Sequence, residues 1–135
     1  MVLSRLVSVA EASKTHPIDG VLIDTEMGSS PTAHYYSRAL CFCDDCFQRY
    51  ARATGKGSET LLAIPWSERY EWLESKGYLE EYYGVLEKRV EDMVREFERK
   101  VHEINPDLLL GFLLYEDNWY YRALARGLST PSMPV

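Results

Sequence analysis

Asp19-Gly20-Val21-Leu22-Ile23-Asp24-Thr25-Glu26 is the stretch whose reading decides the fold. A short apolar run that breaks at Gly28 reads as a buried strand, and the two carboxylates at its end lie two residues apart. Side chains alternate across a strand, so Asp24 and Glu26 share a face. In parallel α/β folds, ligands and chemistry collect at the C-terminal ends of strands, which is where this acid pair falls. The competing expectation is ordinary: Asp24 caps the next segment and Glu26 is solvated.

Outward from that strand, composition narrows the class. The 135 residues are 46% hydrophobic, enough for a packed core, with no low-complexity tract. Fifteen basic residues against twenty-one acidic give a net charge of −6, the wrong sign for nucleic acid or an anionic membrane surface. No stretch approaches the roughly 18 consecutive apolar residues of a membrane span. Near the start, Leu3, Leu6, Val7 and Ala10 have helical spacing without a continuous apolar core, so residues 3–14 read as an amphipathic helix and not as a signal peptide. The helix stops before Pro17. All three cysteines lie between positions 41 and 46, which is no disulfide framework and points to a reducing, cytoplasmic setting.

After the strand, 27–40 reads as a long functional loop with Gly28, Pro31, His34, Tyr35 and Tyr36. Asp44 to Thr54 reads as a helix, acidic in its first turn and closed by Gly55. A polar turn over 55–60 precedes another helix, opened by Pro65-Trp66-Ser67-Glu68 and ending near Gly77. The longest periodic element runs from Leu79 through Tyr82, Leu86, Val90, Val94, Phe97 and Val101 to Ile104. Its mixed-charge face, which includes Glu87, Lys88, Arg89, Glu91 and Arg95, reads as solvated. Asn105-Pro106-Asp107 punctuates the chain before a second apolar strand, Leu108 to Tyr115, closed again by acids at Glu116 and Asp117. Trp119 to Arg126 reads as a helix ended by Gly127, and 130–135 as the entry to a further strand.

Strands alternating with helices predict an α/β fold with parallel strands joined by right-handed crossovers. Both strands are apolar on both faces, as in a sheet covered on two sides. Two strands cannot build such a sheet alone, so the expectation is a segment of a larger barrel, or a chain that self-associates through unpaired strand edges.

Asp19, Gly20, Asp24 and Glu26 resemble the fourth-strand motif of chitinase-type glycoside hydrolases, Asp-Gly-x-Asp-x-Asp-x-Glu, with Leu22 standing at the middle Asp. The acid-tipped strand and the Cys-Phe-Cys-Asp-Asp-Cys-Phe stretch together resemble glycosyl-hydrolase-like (β/α)8 TIM-barrel proteins. The resemblance implies a partial TIM barrel, roughly strands four and five with flanking helices, acting on carbohydrate and completed by strands outside this segment. Glu26 would be the general acid/base, with Asp24 raising its pKa by like-charge proximity. Asp19 would support the site, and Glu116 is the candidate for a further acid on the same rim. Tyr35, Tyr36, Tyr115 and Trp119 would stack on sugar faces, whereas Tyr120 and Tyr121, inside a helix, read as packing. A phosphate-dependent enzyme lacks the glycine-rich cradle it would need.

A second chemistry sits in Cys41, Cys43 and Cys46. The spacing C-x-C-x-x-C supplies three ligands for one metal, and tetrahedral zinc wants a fourth, for which His34 is the candidate. Without metal, these are free or buried thiols. Asp44 and Asp45 are expected to raise the pKa of the flanking thiols and oppose redox work. The alternative function is therefore a non-catalytic carbohydrate-binding or structural α/β module, stapled by zinc.

Overall fold

A computed structural model describes residues 2–24, 41–113 and 119–128. It corrects the expected partial barrel. Of the described residues, 68% are helical, and the strands form a single two-stranded sheet. The physical reason lies between the strands, where a barrel would place one crossover helix but the described residues form four α-helices, and the start of the helix Leu79–His102 packs with the helix Asp44–Thr54 around an aromatic interior of their own. Packing divides the chain into two compact units, Met1–Ala33 with Val90–Val135, and His34–Arg89.

The first unit contains α1 (Val2–Ser13), β1 (Gly20–Asp24), the later part of α5 (Leu79–His102), β2 (Leu109–Leu113) and α6 (Trp119–Leu128). β1 and β2 pair in parallel, with Gly20 opposite Leu109 and Asp24 opposite Leu113. Leu6 and Ala10 of α1 pack with Val101 and Leu108, and Val21, Ile23 and Leu110 lean onto this cluster from the sheet. A neighbouring cluster joins Val90 and Val94 of α5 to Tyr121, Ala123 and Leu124 of α6, with Phe112 against it. Among the described residues the opposite face of the sheet is not covered as expected: Leu22 is 65% exposed and Leu109 62%. The strands are one-sided despite their two-sided apolar sequence. At the turn into β2, the Asn105 side chain donates to Ser13 Oγ at 2.8 Å, tying the end of α1 to the chain leaving α5.

The second unit contains α2 (Asp44–Thr54), α3 (Ser58–Leu62), a 3-10 turn (Trp66–Glu68), α4 (Arg69–Ser75) and the start of α5. α2 has the expected bounds, and Gly55 closes it at φ 69°, a left-handed conformation that favours glycine. The polar turn expected over 55–60 is partly helix, because Leu61 is drawn into the core and winds 58–62 around it. The interior is aromatic. Tyr82 of α5, fully buried, meets Phe47 at 5.4 Å and Tyr50 at 5.1 Å between ring centres. No helix among the described residues is long and apolar enough to cross a membrane.

Candidate metal centre

The residues before α2 and its first turn bring three sulfurs together. Cys41 and Cys43 lie on the approach to the helix, with Cys43 at its N-cap position, and Cys46 is in the first turn. The three Sγ atoms lie within 4.8 Å of one another, and Cys41 Sγ is 3.2 Å from Cys43 Sγ. Cys46 is buried, and the other two are exposed. Thiolates on one tetrahedral zinc, at about 2.3 Å each, stand roughly 3.8 Å apart. These sulfurs could therefore bind a metal ion after only small side-chain adjustments.

Two buried groups from elsewhere in the unit hold this approach segment. Arg69 opens α4 and is 2% exposed. Its Nη1 donates to the Phe42 carbonyl at 2.6 Å, its Nη2 to Asp44 Oδ1 at 2.7 Å, and its Nε to the Ile64 carbonyl at 3.0 Å. Its guanidinium also lies 4.6 Å over the Phe47 ring. Tyr82 Oη donates to the Cys41 carbonyl at 2.5 Å, and its ring stacks on Phe42 at 5.8 Å. The backbone of 41–42 is thus fixed by side chains about 27 and 41 positions away.

Charge at the sulfurs differs from the sequence expectation. Asp44 turns to Arg69, and Asp45 to Arg49 at 3.0 Å and Arg89 at 3.3 Å, so neither carboxylate sets the charge of Cys43. The backbone N–H of Cys46, then the Cys41 thiol and the N–H of Asp45, instead pull the Cys43 pKa below its ordinary value. Cys46 moves the other way. Burial first, then its neighbours Cys41 and Cys43, push it up to about 12. Arg89 Nη1 donates to Cys46 Sγ at 3.5 Å, so this cation faces the sulfurs. The expectation of a purely solvated charged face on α5 fails at this position. With a divalent ion, three thiolates would leave one net negative charge, and Arg89 would offset it.

The sequence spacing identifies the three sulfurs, but it does not reveal Arg69 or Arg89. A charged residue at the start of a helix and another in a mixed-charge run carry no local mark of burial or of a sulfur contact. Among the other predicted site residues, Asp24 ends β1 and is exposed, while Asp19 precedes the strand and its carbonyl accepts from Leu109 N–H at 2.9 Å. Trp119 begins α6 and is half-buried against the Val90 and Val94 cluster, 5.7 Å from Tyr120. Glu26, His34, Tyr35, Tyr36, Tyr115 and Glu116 lie outside the described residues. Comparison with protein-family models, with curated proteins and with solved structures finds no match.

Proposed function

We propose that the unit His34–Arg89 is a metal-stapled helical module in which Cys41, Cys43 and Cys46 bind one zinc ion. The observation that carries this reading is the convergence of three sulfurs within 4.8 Å on a segment pinned by Arg69 and Tyr82. Zinc suits an all-thiolate set because it is borderline soft and has no redox chemistry of its own. Its charge would also overcome the reluctance of buried Cys46 to ionise. The metal would then tie the start of α2 to the segment before it, and the fourth position falls to His34 or to water. Such a site calls for reduced cysteines and so for a reducing compartment such as the cytoplasm. Metal content after purification without added chelator tests the reading, with Cys43→Ser as the control. One equivalent of zinc per chain, lost in the variant, is the expected result.

One observation favours a second reading, glycosidic bond hydrolysis. The parallel register sets Asp24 opposite Leu113, so Glu26 and Glu116 follow their strands by two and three residues from the same end of the sheet. On this reading Glu26 protonates the leaving oxygen, Asp24 tunes it, and the ligand is carbohydrate. Turnover of aryl glycosides, measured against Glu26→Gln, tests it. Loss of turnover with sugar binding retained supports catalysis, and unchanged turnover ends this reading.

A further inference from the structure

The cysteine cluster is built for more than holding an ion. Cys41 Sγ and Cys43 Sγ are 3.2 Å apart, both residues are exposed, and both lie outside the helix that fixes Cys46. A bonded pair needs about 2 Å, so the sulfurs must close by little more than 1 Å. Exposed side chains can supply this by rotation. The backbone carbonyls of Cys41 and Phe42 are held by Tyr82 and Arg69, so both sulfurs are carried on a fixed frame. Cys46 is the bystander. It is buried in the first turn of α2, and Arg89 occupies one side of its sulfur.

We propose that Cys41 and Cys43 form a reversible disulfide on exposure to hydrogen peroxide, and that this bond and the metal are mutually exclusive. The second clause rests on the zinc reading above; the first stands on the metal-free chain. The sulfur of Cys43 attacks the peroxide oxygen, the O–O bond breaks, and one water leaves, giving a sulfenic acid. Cys41 sulfur then attacks Cys43 sulfur, the S–S bond forms, the S–O bond breaks, and a second water leaves. Two thiols have lost two protons and two electrons, and the peroxide has taken them up as water. A disulfide sulfur carries no negative charge and is a poor zinc ligand, so two of the three thiolates are gone, and Cys46 with the fourth ligand holds the ion too weakly to retain it. A dithiol reductant restores both thiols and the site.

The sequence supplies its own assay. Phe42 separates Cys41 from Cys43, and Asp44 and Asp45 separate Cys43 from Cys46. Cleavage after Phe42 and before Asp44 therefore distinguishes every possible pair by mass. The reduced chain, metal-free or carrying one equivalent of zinc, would be treated with hydrogen peroxide at one equivalent. The expected result is loss of two hydrogens and a Cys41–Cys43 link in the wild type and in Cys46→Ser, no intramolecular disulfide in Cys41→Ser, and reversal by dithiothreitol. Zinc should appear on a chromogenic chelator in step with the link. A Cys43–Cys46 link in the wild type would overturn the proposal, as would sulfinic and sulfonic products without a disulfide. A disulfide that forms while zinc stays bound would overturn its second clause. If zinc never binds, the metal-free arm still decides the disulfide, so the two failures are distinguishable.

Discussion

Arg69 ties together three segments through the Phe42 and Ile64 carbonyls and the Asp44 carboxylate. At 2% exposure its charge is withdrawn from water, whereas Asp44 is 81% exposed. The two ends of this pair should therefore respond differently to substitution. Arg69→Met leaves two part-buried carbonyls without their donor and should lower stability by about 3 kcal/mol, while Asp44→Asn should cost less than about 1 kcal/mol. Urea unfolding of both variants checks the asymmetry. Titration offers a second test. In the folded chain Cys46 is pushed up to about 12 by burial, and the hydroxyls of Tyr50 and Tyr82 are also pushed up, chiefly by burial. The unfolded chain releases these protons from about pH 9, so it binds fewer protons than the native state and stability falls as pH rises. Burial raises Tyr120 as well, and the depressed Cys43 opposes this trend but is one group against four. Metal-free protein should lose stability steadily above about pH 9, and Tyr82→Phe should flatten that slope. The C-x-C-x-x-C spacing was legible in the sequence because local spacing alone brings three sulfurs together. Arg69 and Arg89 were not, because their roles depend on partners 25 and 43 positions away.

Among the elements, α5 was the most legible: eight apolar positions at steps of three and four point to a helix from Leu79 to Ile104, and the helix runs from Leu79 to His102. Its neighbour α6 was less so. Gly127 reads as a helix terminator but lies within α6, where a Cβ would stand 2.7 Å from Val94 Cβ. The glycine is there to let two helices approach, a requirement set by a partner rather than by local conformation. Gly127→Ala should cost about 1–3 kcal/mol, whereas the same change at the solvent-facing helical Gly84, where nothing lies within 4 Å of the added carbon, should stabilise by up to about 1 kcal/mol. Thermal unfolding of the two variants measures the difference. α3 was missed because five residues carry too little periodicity to stand out from a polar turn. The sheet was misjudged for a different reason. Apolar residues on both faces of β1 imply cover on both faces only if enough elements exist to provide it, and Leu22 and Leu109 remain exposed.

For the whole molecule, the two units draw stability from different sources. The unit built on α1, the sheet, the later part of α5 and α6 is held by aliphatic and aromatic burial. The unit His34–Arg89 combines an aromatic interior with a buried arginine and the three-cysteine site, so part of its stability should depend on metal. Zinc that binds only the folded chain should raise the unfolding midpoint, and chelator should lower it again. Barrel architecture could not be judged correctly from the order of elements, since alternating strands and helices fix the hand of a crossover but not the number of strands. The most direct test of the metal centre is titration of reduced protein with Co2+ at neutral pH, followed by displacement with zinc, in the wild type and in Cys46→Ser. Thiolate-to-cobalt charge-transfer absorption that saturates at one equivalent, bleaches with zinc and is lost in the variant is the predicted result. Absence of that absorption in fully reduced wild-type protein, or a spectrum unchanged by Cys46→Ser, would contradict it.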